Sequence, residues 1–197
     1  AEDFRFRFPI QDGETAVRLI VSHPHGTTTE EGQAVIQVVD GEPQIDSSDL
    51  ASIAVFARGG ISRFLGFIRG LGLQRGAIAT SHAHDSHNLA VIGRDRRSMA
   101  RAANAVIEMA GGIAVAIGDE VVAHVPLPIA GIISDAPVDI VAQQMRQLTS
   151  ELAELGVQHP YLLMRLTTFT LPVSSGLRIT DMGYVRAADR KLVPLLI

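Results

Sequence analysis

Three of the seven histidines of this 197-residue chain lie between positions 82 and 87, in the run Ser81-His82-Ala83-His84-Asp85-Ser86-His87-Asn88. Imidazole changes charge near neutral pH and is the commonest side-chain metal ligand, and a neighbouring carboxylate can fix its tautomer. Histidine with carboxylate suits zinc, manganese or iron and can also relay protons. His84, Asp85 and His87 are therefore candidate catalytic groups in a supporting role. His84 and His87 are also candidate metal ligands, and Ser86 and Asn88 are candidate substrate contacts. The alternative is a polar loop whose side chains satisfy only one another.

The flanking residues say where such a run must sit. Gly76 to Ser81 and Leu89 to Ile92 are short apolar strands. Both bury side chains, so the polar insert between them is pushed to the end of a sheet, where a rigid scaffold holds a loop. His23-Pro24-His25-Gly26 is a second His-x-His, following the apolar run Val17 to Val21. Pro24 and Gly26 are turn formers, so a turn is the expectation there. Pro126-Leu127-Pro128-Ile129-Ala130-Gly131-Ile132 cannot belong to a central strand. It reads as an ordered crossover, or as the wall of a cleft or interface.

The remaining elements are legible from periodicity. Phe4, Phe6 and Phe8 alternate with Arg5 and Arg7 as in a half-buried strand, and Ala16–Val21, Ala34–Val39 and Leu50–Phe56 are further strands. Asp40-Gly41 is a hairpin turn leading to Pro43-Gln44-Ile45, and Gly59-Gly60 is a break. Ser98 to Ala110 reads as a helix with Met99, Ala102, Ala103, Val106 and Ile107 on its apolar face, stopped by Gly111-Gly112. Ile113–Ile117 and Val121–Val125 flank a turn at Gly118-Asp119. A long helix follows, capped by Ser134 or Asp135, with Val138, Val141, Met145, Leu148, Leu152 and Leu155 in one stripe. A short helix over Tyr161–Phe169 and strands at Leu177–Thr180, Tyr184–Arg186 and Leu192–Leu196 close the chain. The fold class is α+β: a mixed sheet with at least two packed helices. A (β/α)₈ barrel, which needs roughly 250 residues of alternating strand and helix, does not fit.

Composition narrows the classes. Hydrophobic residues make up 47 % and charged residues 19 %, the balance of a globular domain. The formal charge of −4 and the absence of Trp argue against a nucleic-acid partner. No apolar run reaches the length of a membrane span. With no cysteine, any metal must be held by His, Asp or Glu. The chain opens on Ala1-Glu2-Asp3-Phe4, without Met and without a signal-peptide pattern, so a domain cut from a longer protein is expected.

Gly70-Leu71-Gly72-Leu73-Gln74-Arg75-Gly76-Ala77-Ile78-Ala79, followed by Ala83-His84-Asp85-Ser86-His87-Asn88, resembles the C-terminal domain of the bacterial adenine deaminases. The resemblance continues through Leu127–Asp135, Leu171-Pro172-Val173 and Leu177–Gly183. His82 departs from it, standing where the family has an apolar residue. So does Ser174-Ser175-Gly176, where the family is richer in proline. The resemblance implies one domain over residues 1–197, belonging to an amidohydrolase-superfamily enzyme that converts adenine to hypoxanthine and ammonia in purine salvage. It implies a binuclear manganese or iron site in a barrel upstream in the same polypeptide, with His84, Asp85 and His87 at the barrel mouth. A cytoplasmic homo-oligomer is expected. Two other readings are a structural or oligomerisation module and a stand-alone metal-binding domain.

Overall fold

The computed structural model describes residues 12–45, 49–157 and 161–197; the strand expected at Phe4–Phe8 lies outside them. β1 (Gly13–Ser22) pairs antiparallel with β2 (Thr29–Val39), and Asp40-Gly41 turns β2 into β3 (Glu42–Gln44) as the hairpin signal predicts. β4 (Leu50–Phe56) is followed, after the Gly59-Gly60 break, by β5 (Arg63–Arg69), β6 (Ala77–Thr80) and β7 (Leu89–Gly93). Then come α1 (Arg96–Glu108), the hairpin β8 (Gly112–Ile117) and β9 (Glu120–Pro126), α2 (Val138–Glu154) and α3 (Leu162–Phe169). β10 (Leu177–Thr180), β11 (Gly183–Arg186) and β12 (Lys191–Val193) form a separate small sheet. The large sheet runs β3-β2-β1-β5-β4-β7-β6-β8-β9, antiparallel except where β1 meets β5. The architecture is the α+β, non-barrel arrangement that the pattern of strands and helices predicts. Strand β5 went unpredicted: Arg63-Phe64-Leu65-Gly66-Phe67-Ile68-Arg69 has the apolar run of a buried strand, but a glycine at its centre hides it.

The two faces of the central strands differ in side-chain size. One face presents Ala54, Ala77, Ala79, Ala114, Ala116 and Val91 to α1, which answers with Met99, Ala102, Ala103 and Val106. Small residues on both sides bring helix and sheet close enough for dense packing. Asp95 caps this helix by accepting from the Ser98 amide at 2.8 Å, so it begins before the predicted Ser98. Ile107, predicted for the apolar face, is instead 64 % exposed near the helix end.

The opposite face carries Ile53, Val55, Ile78, Ile92, Ile113 and Val115, covered by α2, α3 and the small sheet. Leu148, Leu152 and Leu155 are buried there, with Val141 and Met145 packed at the margin. Val138 does not join the stripe, and neither Ser134 nor Asp135 caps α2. Pro137 holds the cap position with no side-chain bond, because the Ser134 hydroxyl already accepts from the Ala136 amide in the preceding turn.

β1 and β5 pair through Ile20–Ile68 and Val21–Arg69, and then diverge. Two later parts of the chain fill the split. The Tyr184 hydroxyl, fully buried, donates to the Phe67 carbonyl at 2.8 Å and accepts from the Phe67 amide at 2.6 Å. Gly66 lets this happen, since a Cβ there would collide with the phenol of Tyr184. Nearer the start of β1, Arg18 N–H donates to the Leu195 carbonyl and Ile197 N–H to Ala16. Glu31 on β2 then clasps Arg18 of β1 and Arg186 of β11, which holds the small sheet against the large one.

Replacing Leu148 by Ala should cost about 2–5 kcal/mol, as other buried leucine truncations do; a denaturant midpoint that does not move would show this face is not core. The Arg186 hydrogen bond, aided by Arg18, lowers the Glu31 pKa from 4.5 to about 2. A depressed folded-state pKa gives stability that is complete above the unfolded value and lost as protons return. The Glu31 contribution should therefore be full above pH 4.5 and disappear on acidification toward pH 2, and Glu31→Gln should flatten that part of the melting-temperature profile.

Candidate functional site

The register lines up Arg63 of β5, Phe56 of β4, Leu89 of β7, Thr80 of β6 and Ile113 of β8 at one end of the sheet. Segments 57–62, 81–88 and 127–131 all emerge there. The histidine run is thus at a sheet end, as its flanking strands require.

Its backbone is secured from several distant points. Ser81 donates its hydroxyl to the Gly131 carbonyl at 2.6 Å and accepts from the Gly112 amide at 2.8 Å, pinning the loop to the proline-rich crossover. This contact needs the close backbone passage at Gly111, whose φ is 128° and where a Cβ would meet Gly131. Ala83 is buried, and the His87 amide donates to its carbonyl at 2.7 Å. His84 N–H donates to the Thr167 carbonyl at 3.2 Å, and the Thr170 hydroxyl donates to the His84 carbonyl at 3.3 Å, so the end of α3 holds the middle of the loop. The His84–Asp85 peptide is cis, and His87 has φ of 52°. Asn88, buried, accepts from the Arg58 amide at 3.0 Å and donates to Asp181 at 2.9 Å. Ser62 donates to the other oxygen of Asp181.

The structure brings the three imidazoles of the loop together. The rings of His82 and His84 meet edge to face with centroids 5.3 Å apart. Burial first, and then the neighbouring His84 and His87, lower the pKa of His82 and favour its neutral form. Nδ1 of His87 is buried and has no hydrogen-bond partner. Asp85 and Ser86 are exposed at the loop tip. The pairing of Asp85 with an imidazole is not formed: among the described residues its carboxylate accepts from none of the three. Nor do these side chains assemble a metal-binding set, since no group of three or more His, Asp or Glu converges for that purpose among the described residues. His23 and His25 lie in the surface turn their sequence predicts, with His23 Nε2 3.1 Å from a Glu30 oxygen but not aligned for a hydrogen bond.

Beside the loop an open groove of about 780 Å³ runs between segment 57–62, the end of α1 and the Ala130-Gly131 turn. His87, Ser81 and Arg58 line it. The proline-rich stretch thus supplies a wall of a cleft as well as a crossover. The sequence reading did not single out Arg58, Ser62, Ser81, Thr167, Thr170 or Asp181. Asp181 sits in the turn between β10 and β11, and its partner Asn88 lies 93 residues earlier.

A family model described as the adenine deaminase C-terminal domain matches residues 26–191. The chain is 40 % identical over 198 residues to adenine deaminase 2 of Shouchella clausii (strain KSM-K16), covering all of this chain and 35 % of that protein. It is 41 % identical over 171 residues to an adenine deaminase of Clostridium perfringens (strain ATCC 13124), covering 86 % of this chain and 30 % of that one. With the adenine deaminase of Methylobacterium sp. (strain 4-46) the identity is 38 % over 191 residues, 96 % of this chain and 34 % of the relative. The chain therefore spans about a third of the length of the curated relatives it matches.

Removing the Asp181 carboxylate should loosen three segments at once. Asp181→Ala leaves Asn88 Nδ2 and the Ser62 hydroxyl without an acceptor, at a cost of about 1–3 kcal/mol. Amide hydrogen exchange should quicken in both 57–62 and 81–88; unchanged exchange in 81–88 would show that this clamp does not hold the histidine loop.

Proposed function

The chain belongs to the adenine deaminase C-terminal domain family, and on that premise we propose that it is the C-terminal part of an enzyme hydrolysing adenine to hypoxanthine and ammonia. The carrying observation is the His82–His84–His87 grouping at one sheet end, in a loop clamped by α3, the crossover and Asp181, with an unpartnered ring nitrogen on His87.

Hydrolytic deamination needs a water delivered to C6 of the purine, a proton for the departing amine, and donors and acceptors on the ring edges. In the parent enzyme, manganese or iron would activate that water. Among the described residues no donor set makes such a site, and the metals would be held by the upstream barrel. His84 and His87 are here outer partners, holding or passing a proton near the leaving amine, or adding an imidazole to a coordination sphere built elsewhere. Asp85 and Ser86, exposed at the tip, are placed to meet the barrel mouth. Asn88 is buried, with one amide hydrogen on Asp181 and its oxygen on the Arg58 amide, so its proposed purine contact would fall to its second N–H. A cytoplasmic homo-oligomer acting in purine salvage accords with this reading. Among the described residues no helix is long and apolar enough to cross a membrane.

The test is made in the full-length polypeptide. His84→Ala and His87→Ala should each lower turnover of adenine by about 10–100-fold with the protein still folded, as changes in groups that support a metal site do. The isolated 197 residues should release no ammonia from adenine. Wild-type turnover in both variants would reduce the cluster to a structural device holding its own loop.

A further inference from the structure

The groove at the sheet end has features that the histidine loop does not account for. Ile61 on one bank is 93 % exposed and Ile107 on the other 64 %, and both line it together with Phe56 and Leu89. Large aliphatic side chains exposed along an open cleft are costly in water, and patches of this kind mark contact surfaces. Ile129 and Ile133, also exposed, flank the Ala130-Gly131 turn that forms the third bank. Arg58 is among the lining residues, and among the described residues no carboxylate lines the groove. His87 lines the groove as well, and its Nδ1 has no partner.

We infer that this groove is the seat of a segment from the preceding part of the parent polypeptide, one that lays an apolar side chain between Ile61 and Ile107 and turns a carboxylate toward Arg58. The inference rests on the proposed membership of a longer adenine deaminase chain. The relatives are matched over only 30–35 % of their length, by a domain described as C-terminal, so a polypeptide about twice as long as this one precedes it in them. That polypeptide needs a face to pack on. A second copy is the poorer occupant, because groove against groove brings arginine to arginine and leaves both clefts unfilled. The same docking would carry His87 into the shared interface, so the segment that fills the groove would also fix how the histidine loop meets the rest of the enzyme.

The chain has no cysteine, so Ile61→Cys, Ile107→Cys and a control, Val35→Cys in β2, each introduce a thiol that peptide mass spectrometry can follow in the full-length protein. In the native protein the two groove thiols should react with a maleimide about tenfold or more slowly than the control, because a covered site reacts only through local opening. All three should react alike in urea. Equal native rates would overturn the proposal. Protection that appears only when adenine is added would mean a ligand cleft, and protection that rises with protein concentration would mean a second copy; either overturns it. Labelling does not depend on turnover. Protected groove thiols with unimpaired His84→Ala turnover would keep the docking face and remove the proposed supporting role of the histidine loop, and the reverse result would do the opposite.

Discussion

Strands β6 and β7 are dry on both faces, and the polar loop that joins them satisfies only part of its backbone from within, as at His87 N–H on the Ala83 carbonyl. Other hydrogen-bonding groups that leave this buried pair find partners brought from elsewhere in the chain. Ser81 finds Gly112 and Gly131, His84 finds the end of α3, and Asn88 finds Arg58 and Asp181. The crossover, α3 and the β10–β11 turn hold their places partly because the loop needs them there. A rigid loop presenting several imidazoles follows from a requirement of the interior, before any chemistry is asked of it.

The unequal faces of the sheet serve the same end. Alanines under α1 let that helix lie close, and its last turn then reaches the sheet end to form a bank of the groove. The isoleucine face is bulkier, and α2, α3 and the small sheet together cover it. Arg178 of the small sheet is buried and donates to the carbonyls of Thr27, Thr168, Ser174 and Ser175, which ties the loop after α3 to the turn after β1. Burial lowers its pKa to about 10, still far above neutrality. Among the described residues this cation organises backbone carbonyls and pairs with no carboxylate.

Much of this was legible because it is local. The β-branched-rich runs Ala16–Val21 and Ala34–Val39 marked β1 and β2, the Asp40-Gly41 signal marked the hairpin, and the leucines in the stripe of α2 named its buried residues. The placement of His84, Asp85 and His87 at a sheet end followed from two apolar strands with a polar insert. What was not legible is pairing at long range. Asn88 with Asp181 and Tyr184 with Phe67 join positions 93 and 117 residues apart, and a single sequence has no period for that. The Asp85–imidazole pair failed for a related reason: adjacency in sequence suggested it, while the turn geometry leaves Asp85 in solvent. Ile107 fitted the helical stripe of α1 and yet faces outward, because the sheet ends before the helix does.

The split between β1 and β5 also carries a consequence for the order of assembly. Both strands precede Tyr184 and the Leu195–Ile197 tail in the chain, yet among the described residues those late segments cover the backbone the strands leave bare. Until those residues leave the ribosome, a nascent chain holds two unpaired strand edges side by side, the kind of surface that recruits a neighbouring chain. Completion is a late, non-local event, and non-local closure is slow. Chains shortened at the C-terminus by even a dozen residues would keep most of their core and still expose that seam, so their failure would show as aggregation before it showed as unfolding.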